Sequence, residues 1–396
     1  MPKRLIYLDY AATTPLDPRV VRAMSPYWTE KFGNPSSLYE KGREAKAALD
    51  QVRAEVAQIF GCLPAEIIFE GSGTESDNHA IIGVALANRS RGNHIITSAI
   101  EHHAVLHACE FLETQGFEVT YLPVDKYGLV KLDILKESVR PETILVSIMF
   151  ANNEIGTVQP IQEINEIIKQ KNKTALFHTD ACQAAGAFKL KVNELGVDLL
   201  TINGSKIYGP KGTGILYVKK GTAVNPIIHG GGQEAGKRAG TENVAGIIGL
   251  VYALKLAQEN LAKENKRLIA LRDKLIKGLL KIPKTFLNGH PLNRLPNNVN
   301  VTILDIEGES VILHLDRLGI ACSTGSACTS RTLDPSHVII ALGHPYEVAH
   351  GSLRFSLGHG TTALEIDYVL KVLPGIVKKL RQMSPVNLDK NKIINQ

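Results

Sequence analysis

Short apolar runs alternate with amphipathic segments between residues 43 and 260. The runs are rich in β-branched residues and have the length of strands, whereas the segments between them repeat apolar residues every three or four positions. This alternation predicts an α/β domain with a largely parallel sheet and helices on both of its faces. The predicted strands are 67–69, 94–98, 118–122, 143–148, 175–178, 199–202 and 215–218.

The pattern changes near residue 250, where one apolar stripe continues from Leu250 to Leu279. A stripe of this length predicts a single long helix, which we interpret as a bridge between two domains. Shorter elements follow and predict a smaller α+β domain: strands 298–303 and 351–356, and helices 309–318 and 364–380. We therefore predict a large domain of residues 16–262 and a small domain of residues 1–15 and 263–396.

Composition narrows the class of protein. The 396 residues are 44% hydrophobic and 21% charged, as in chains that fold around a buried core. The net charge is +6, but Lys and Arg are scattered, which disfavours binding to a nucleic-acid duplex. The longest apolar stretch, near 244–254, is much shorter than the roughly 20 residues of a membrane span. We expect a cytoplasmic protein without a membrane segment.

The five cysteines are odd in number and contain no CxxC pair. This pattern predicts neither a disulfide framework nor a cysteine-rich zinc site. A cysteine with a special role is therefore expected to act as a nucleophile.

A glycine-rich turn, FEGSGTESDN, follows the first predicted strand and precedes a helix. Free N–H groups at a helix start can bind a phosphate that glycine lets approach closely. The same segment is also compatible with an ordinary strand-to-helix turn. A dinucleotide site is not favoured, because Arg91, Gly92 and Asn93 stand where an acidic residue would be expected.

Two other glycine clusters fit known motifs poorly. GSKIYGPKGTG, starting at Gly204, has Pro210 where a phosphate-binding loop of nucleoside triphosphatases requires lysine. HGGG at 229–232 is similar to an oxyanion motif, but the sequence has no GxSxG nucleophile elbow. Neither a nucleoside triphosphatase nor a hydrolase is favoured.

Polar residues follow several predicted strands: His102, Asn153, Asp180, Gln183 and Lys206. Each alone is explained as a helix cap, a turn residue or a solvated charge. Ligands of open α/β sheets bind at the carboxyl ends of the strands, where these residues would meet. A phosphate turn, a lysine and a strand-end aspartate are together what pyridoxal 5'-phosphate requires.

The chain resembles the cysteine desulfurases, pyridoxal-phosphate enzymes of aminotransferase class V. The resemblance rests on strings spread over nearly the whole chain: YLDYAATTP (7–15), FGNPSSL (32–38), SGTESDN (72–78), IEHHAV (100–105), ANNEIGTVQPI (151–161), HTDACQAAG (178–186), KIYGPKGTG (206–214), RAGTEN (238–243), STGSACTS (323–330) and LRFSLG (353–358). It implies the PLP-dependent transferase (aspartate aminotransferase-like) fold. In that fold, a large domain with a mainly parallel seven-stranded sheet joins a smaller α+β domain.

The resemblance also implies roles around the coenzyme ring. Lys206 would bind the coenzyme covalently, and Asp180 would pair with its ring nitrogen. His102 would stack on the ring and serve as the local base, and Gln183 would donate to the ring oxygen. Asn153 would lie at both the coenzyme and the substrate.

The phosphate would be bound by Gly73, Thr74, Asn203 and Ser205, together with Thr241 of the partner subunit. The shared site implies a homodimer. Asn203 and Ser205 depart from the residues usual in the family, serine and histidine, although both still donate hydrogen bonds. Two further departures, Tyr39 for histidine and Ala235 for arginine, have no effect that the sequence reveals.

Sulfur transfer is the step that the resemblance assigns to Cys328, on a loop of about 322–333. Asn153 and Arg354 would hold the carboxylate of L-cysteine, and L-alanine would leave. The sulfur would pass to an iron–sulfur scaffold protein or another acceptor, for iron–sulfur clusters and other thio-cofactors. No resident metal is implied, although Cys328 could transiently hold or share a cluster.

Several alternatives stay open at this point. Selenocysteine lyase and other PLP-dependent lyase activities are compatible with the sequence, whereas transamination has no use for a thiol nucleophile. A catalytically inactive scaffold paralogue is a further alternative, against which the presence of Lys206, Asp180, His102 and Cys328 argues. Cys322 is the main competitor of Cys328 as nucleophile, since it lies only six residues upstream.

Overall fold

The computed structural model describes residues 5–325, 335–385 and 387–388. Within these ranges the strands are β1 (Ile6–Tyr7), β2 (Ile67–Glu70), β3 (His94–Ser98), β4 (Glu118–Leu122), β5 (Thr143–Ser147), β6 (Leu176–Asp180), β7 (Leu199–Asn203), β8 (Gly214–Val218), β9 (Thr285–Leu287), β10 (Asn298–Ile303), β11 (Ile320–Ala321) and β12 (Ser352–Ser356). The strands predicted from the sequence are confirmed to within two residues at either end. Strands β1, β9 and β11 were not predicted from the sequence.

Seven of the strands form one sheet in the order β2-β8-β7-β6-β5-β3-β4. Only β8 runs against its two neighbours, and the pairs from β7 to β4 are parallel. The predicted mainly parallel seven-stranded sheet is confirmed. As a result, the carboxyl ends of six strands lie at one edge, where ligands of such sheets bind.

The helices in the described ranges are α1 (Pro18–Met24), α2 (Pro26–Thr29), α3 (Glu40–Phe60), α4 (Gly73–Asn78), α5 (Val84–Ala87), α6 (His103–Thr114), α7 (Leu132–Ser138), α8 (Ile161–Lys171), α9 (Val192–Leu195), α10 (Val244–Leu279), α11 (Gly308–Asp316), α12 (His337–Ala341), α13 (Tyr346–Ala349) and α14 (Ala363–Met383). A π-helical turn, His79–Gly83, joins α4 to α5, so that residues 73–87 form one helical segment. None of the described helices combines the length and the apolar character needed to cross a membrane.

Two smaller sheets lie apart from the large one. An antiparallel sheet has the order β12-β10-β9, and β1 pairs in parallel with β11. Helix α14 packs on this part of the molecule against α10 and α11. The α+β character predicted for this part of the chain is therefore confirmed.

Helix α10 contributes to two separate hydrophobic cores. Its first part, Val244 to Leu254, packs in the core beneath one face of the large sheet. Its last part, Leu268 to Leu279, packs in a second core with β1, β10, β12 and α14. Val338 and Leu342 of the late chain belong to the first core. The exact division into 16–262 and 1–15 plus 263–396 stays a prediction.

Candidate active site

A cavity of about 320 Å³ opens at the carboxyl edge of the large sheet. It brings together most of the predicted site residues: Gly73, Thr74, His102, Asn153, Asp180, Gln183, Asn203, Lys206 and Arg354. Ser205 and Thr241 lie outside its lining. Cys328 lies outside the described residues, but Gly325, three positions before it, lines the cavity.

The cavity has two walls of different origin. The sheet wall consists of Gly73, Thr74, His102, Asp180 and Lys206, which follow or end strands of the large sheet. The junction wall consists of Asn153, Glu154, Gly325, His337 and Arg354, which come from both parts of the molecule.

The glycine turn of the sheet wall has room for a ligand because it lacks side chains. Ser72 caps the helix by accepting from Glu75 N at 3.0 Å, and the helix starts at Gly73. A Cβ at Gly73 would lie 2.9 Å from Asn203 Nδ2 and 2.9 Å from Cys182 Sγ. The first N–H groups of the helix have no intrahelical partner. The turn is therefore suited to bind an anion such as phosphate.

Lys206 lies on a short 3-10 turn directly after β7. Its Nζ donates to the carbonyl of Ala12 at 2.5 Å, and Ser205 O accepts from Thr14 N at 2.8 Å. Tyr208, which follows closely, has a left-handed backbone with φ of 63° and donates its N–H to Thr14 Oγ1 at 2.8 Å. The segment 9–14, which we call the strap, therefore fixes the lysine turn from outside the sheet.

Burial and charge distinguish the two aspartates near the cavity floor. Burial, and then the neighbouring charge of Asp180, raise the pKa of Asp77 well above its ordinary value. The protonated form of Asp77 is therefore favoured. Burial lowers the pKa of the adjacent His178 to about 3, so that this ring is neutral. Asp180 Oδ1 accepts from Cys182 N at 2.8 Å, and its carboxylate is available to pair with a cationic ring nitrogen.

His102 caps helix α6, since its Nδ1 accepts from Ala104 N at 3.1 Å. The neutral ring therefore carries its proton on Nε2. Burial lowers the pKa of His102 and favours this neutral form, while Asp180 acts in the opposite direction. A base at Nε2 would need the other tautomer, so the predicted role of His102 as base stays a prediction.

His337 has the opposite arrangement and was not predicted as a site residue. Its Nε2 lies 3.0 Å from the carbonyl of Glu101, so the neutral ring donates there and keeps its lone pair on Nδ1. Its ring lies 4.8 Å from that of His103, measured between centroids. Nothing in the sequence pattern marked His337, which becomes visible only because α12 packs against the start of α6.

Glu101, next to His102, is fully buried. Its carboxyl accepts from Ser98 Oγ at 2.5 Å and from Met149 N at 3.0 Å. Burial raises its pKa to about 8. The carboxyl is thus mostly protonated at neutral pH and adds little negative charge to the site.

Arg354 occupies the centre of the junction wall. Its Nη1 donates to Asn153 O at 3.0 Å and to Gly325 O at 3.4 Å, and its Nη2 donates to Asp9 Oδ1 at 2.9 Å. Glu154 in the same wall accepts from Ser336 Oγ at 2.5 Å. Asp9 was overlooked as a functional residue, although it belongs to the conspicuous string YLDYAATTP.

The four cysteines in the described residues are poor nucleophiles. Burial raises the pKa of Cys62 to about 12 and that of Cys322 to about 12. Burial also raises the pKa of Cys109, and in Cys182 the charge of Asp180 adds to the effect. Since the thiolate is the reactive form, these thiols are nearly unreactive at neutral pH. Cys322 is therefore a less favourable candidate for the nucleophile than Cys328.

The chemistry of the sheet wall fits pyridoxal 5'-phosphate. The glycine cradle matches the phosphate, the charge of Asp180 matches a protonated ring nitrogen, and the amine of Lys206 can bond to the aldehyde. The cavity volume of about 320 Å³ lies in the range of small-molecule sites. In the described residues, no group of three or more His, Cys, Asp or Glu side chains has an arrangement that could hold a metal ion.

Comparisons with known proteins agree with the chemistry of the cavity. Residues 6–369 match the model of the family described as aminotransferase class-V. The chain is 57% identical over 383 residues to "Cysteine desulfurase IscS" of Methanosarcina thermophila, covering 97% of this chain and 94% of that protein.

Solved structures are similar over most of the chain. A "NIFS-LIKE PROTEIN" superposes with a TM-score of 0.90 at 40% identity, covering 95% of this chain and 100% of the other. The structure titled "SspA in complex with cysteine" has a TM-score of 0.78 at 35% identity, covering 89% of this chain and 98% of the other. These likenesses confirm the predicted fold.

Proposed function

The chain belongs to the class-V aminotransferases and, within them, to the cysteine desulfurases, and on this premise we propose that it takes sulfur from L-cysteine through a thiol at Cys328. Pyridoxal 5'-phosphate is its cofactor. The observation that carries the proposal is the cavity in which a phosphate cradle, Asp180, Lys206 and Arg354 meet beside Gly325, from which the chain leads to Cys328.

The reaction needs no external oxidant or reductant. The C–S bond of L-cysteine breaks, and an S–S bond forms between that sulfur and Cys328. A proton takes the place of sulfur on the substrate's β-carbon, so that L-alanine and a persulfide are the products. When bound, the coenzyme supplies an electron sink that makes this bond cleavage possible.

The sheet wall would hold the coenzyme. Gly73 and Thr74 would bind the phosphate through their backbone N–H groups, and Asn203 offers a side-chain amide beside them. Asp180 would keep the ring nitrogen protonated, and His102 would cover the ring. Lys206 Nζ would form the covalent link and would move protons at the substrate carbon once it is released.

The junction wall would hold the substrate. Arg354 presents a planar guanidinium that suits a carboxylate, and Asn153 lies next to it. Gln183, whose Nε2 donates to Ala11 O at 3.1 Å, lies between the strap and the cavity and would reach the ring oxygen.

The thiol of Cys328 must lose a proton before it attacks sulfur. His102 is the predicted acceptor, and His337 Nδ1 is a second acceptor on the facing wall.

The partners are part of the same proposal. The exposure of Thr241 and its position outside this chain's own cavity support a homodimer in which it completes the partner's phosphate site. The apolar side chains of Trp28, Phe32 and Leu38 are 62%, 66% and 89% exposed and are available for such a contact. We further propose a cytoplasmic location and an iron–sulfur scaffold or another sulfur acceptor as the recipient.

The test is the release of L-alanine from L-cysteine, and of sulfide once an added thiol reductant cleaves the persulfide, with mass detection of the persulfide before the reductant is added. We expect Cys328→Ser to lose both products while keeping the visible absorption of the bound coenzyme. Cys322→Ser is the matched control, because this thiol is six residues away and buried, and it should behave as the wild type. Normal sulfide release by Cys328→Ser, or a protein that stays colourless with added coenzyme, would overturn the proposal.

A further inference from the structure

The guanidinium of Arg354 is buried and already holds a counterion. Its side chain is 2% exposed, and that of Asp9, which it pairs with at 2.9 Å, is 18% exposed. An unpaired charge at such a site is strongly destabilising, so a buried arginine needs an anionic partner. Asp9 fills this need before any ligand arrives.

One edge of the same guanidinium has a donor without an acceptor among the described residues. Arg354 Nε is buried and has no hydrogen-bond acceptor among the described residues. Its N–H points to the same side as one hydrogen of Nη2, and the two together form a fork with the spacing of a carboxylate. The other edge is occupied, because Nη1 donates to Asn153 O and Gly325 O. The Nε edge of Arg354 therefore has a donor left for one further carboxylate.

Asp9 is fixed by its surroundings. Its carbonyl accepts from Tyr7 Oη at 3.0 Å and from Ala12 N at 3.0 Å. Two residues on, Ala11 N donates to Ser356 Oγ at 2.8 Å, which ties the strap to β12 beside Arg354. Its carboxylate consequently stays at Arg354 instead of moving away into solvent.

We propose that Asp9 weakens the binding of amino-acid carboxylates at Arg354 and so promotes release of the product. The inference rests on the proposed function, which makes the ligand carboxylate that of an amino acid. When this carboxylate enters, two negative groups share one guanidinium, and their repulsion lowers the affinity. A substrate that is also bonded to the coenzyme stays bound, because the bond raises its effective concentration at Arg354. The product L-alanine loses this advantage and leaves.

Asp9→Asn tests the proposal, because the amide keeps the shape of the side chain and removes its charge. We expect the dissociation constant of L-alanine, titrated into the coenzyme-loaded enzyme and followed by visible absorption, to fall about tenfold. L-alaninol, which lacks the carboxylate, should bind to the variant and to the wild type equally. In turnover, the KM for L-cysteine should fall and inhibition by L-alanine should increase.

Asp273→Asn is the matched control. Asp273 accepts from Arg272, another buried arginine, at 2.9 Å, but this pair does not line the cavity. The control should leave the affinity for L-alanine unchanged. Unchanged or weaker binding of L-alanine to Asp9→Asn, with normal coenzyme content, would contradict the proposal, as would an equal gain for L-alaninol.

A milder variant covers the case in which Asp9→Asn does not fold. Tyr7→Phe removes one hydrogen bond that fixes Asp9 and should shift the affinity for L-alanine in the same direction by a smaller factor. No shift in that variant would then count against the proposal. Failure of the proposed function has a different signature: the wild type would release no L-alanine from L-cysteine, whereas the titrations would still report how Asp9 acts on Arg354.

Discussion

The two walls of the cavity are built in different ways. Every member of the sheet wall follows or ends a strand of one sheet, so hydrogen bonds between strands fix the positions of Gly73, Asp180 and Lys206 relative to each other. The junction wall joins Asn153 to Gly325 and Arg354, with Asp9 behind them, from parts of the chain that lie far apart. On the proposed assignment, coenzyme binding would be built into one sheet, whereas substrate binding would depend on how the two cores meet.

This difference predicts that substitutions in the two walls have separable effects. Changes in the sheet wall should alter coenzyme content first. Changes in the junction wall should alter substrate binding while the coenzyme stays in place.

The largest effect is expected for Lys206→Ala. The variant would lose the amine that is proposed to link the coenzyme and move protons, so alanine release should fall by roughly 100- to 10,000-fold. The absorption band of the covalently bound coenzyme should disappear as well. Lys211→Ala, at an exposed position five residues further on, is the control and should keep both. An active Lys206→Ala variant would show that this lysine does not carry the chemistry.

Arg354→Lys should separate the walls most clearly. Lysine keeps the charge but loses the planar fork, and hydrogen bonds to charged groups contribute about 1.5–3 kcal/mol. We expect the KM for L-cysteine to rise roughly 10- to 100-fold with coenzyme content unchanged. Arg381→Lys, which alters an arginine bound to the carbonyl of Leu304 away from the cavity, should be silent. Loss of coenzyme with a normal KM would contradict the division into two walls.

Gly73→Ala should weaken coenzyme binding and leave substrate binding nearly unchanged, which is the reverse of the effect of Arg354→Lys. The added methyl group would lie 2.9 Å from Asn203 Nδ2 and Cys182 Sγ, and overpacking of this kind costs about 1–3 kcal/mol. The affinity for the coenzyme, measured by titration of the stripped enzyme, should therefore fall about tenfold. The KM for L-cysteine at saturating coenzyme should hardly change. Gly375→Ala, where a Cβ meets open space, is the control.

The smallest effect on activity is expected for Glu101→Gln, which instead changes the dependence of stability on pH. Burial raises the pKa of Glu101 from 4.5 to about 8, so the folded state holds this proton more tightly than the unfolded state. Its stabilising contribution is complete below the unfolded pKa and is lost as the pH rises towards 8. Denaturant unfolding between pH 5 and 8 should show a loss on the order of a few kcal/mol in the wild type that Glu101→Gln lacks. Parallel curves for the two proteins would show that Glu101 does not titrate in this interval.

The sheet wall was largely predictable from the sequence, because its signals are local. Apolar runs of strand length were followed by His102 and Lys206, and glycines marked the phosphate turn. The predicted strand 175–178 ended too early, and Asp180 is in fact the last residue of β6. Polar residues at the end of a buried strand interrupt its apolar pattern, so that the strand is predicted to end too early.

The junction wall was less predictable, because it depends on contacts between distant segments. β1 has only two residues and pairs with β11, near the other end of the chain, so neither strand has a periodicity of its own. The strap brings Asp9 to Arg354 as a consequence of that pairing. Similarly, burial beside Asp180 raises the pKa of Asp77, which sequence spacing does not reveal.

Helix α10 couples the folding of the two hydrophobic cores. Its 36 residues make it about 54 Å long, with one end in each core. A break of the chain between Leu254 and Leu268 would separate the first core from Val338 and Leu342, and the second core from Ile6 and Leu8. We therefore expect heat or denaturant to melt the whole molecule in a single transition, and neither half to be inherited or transplanted without the other.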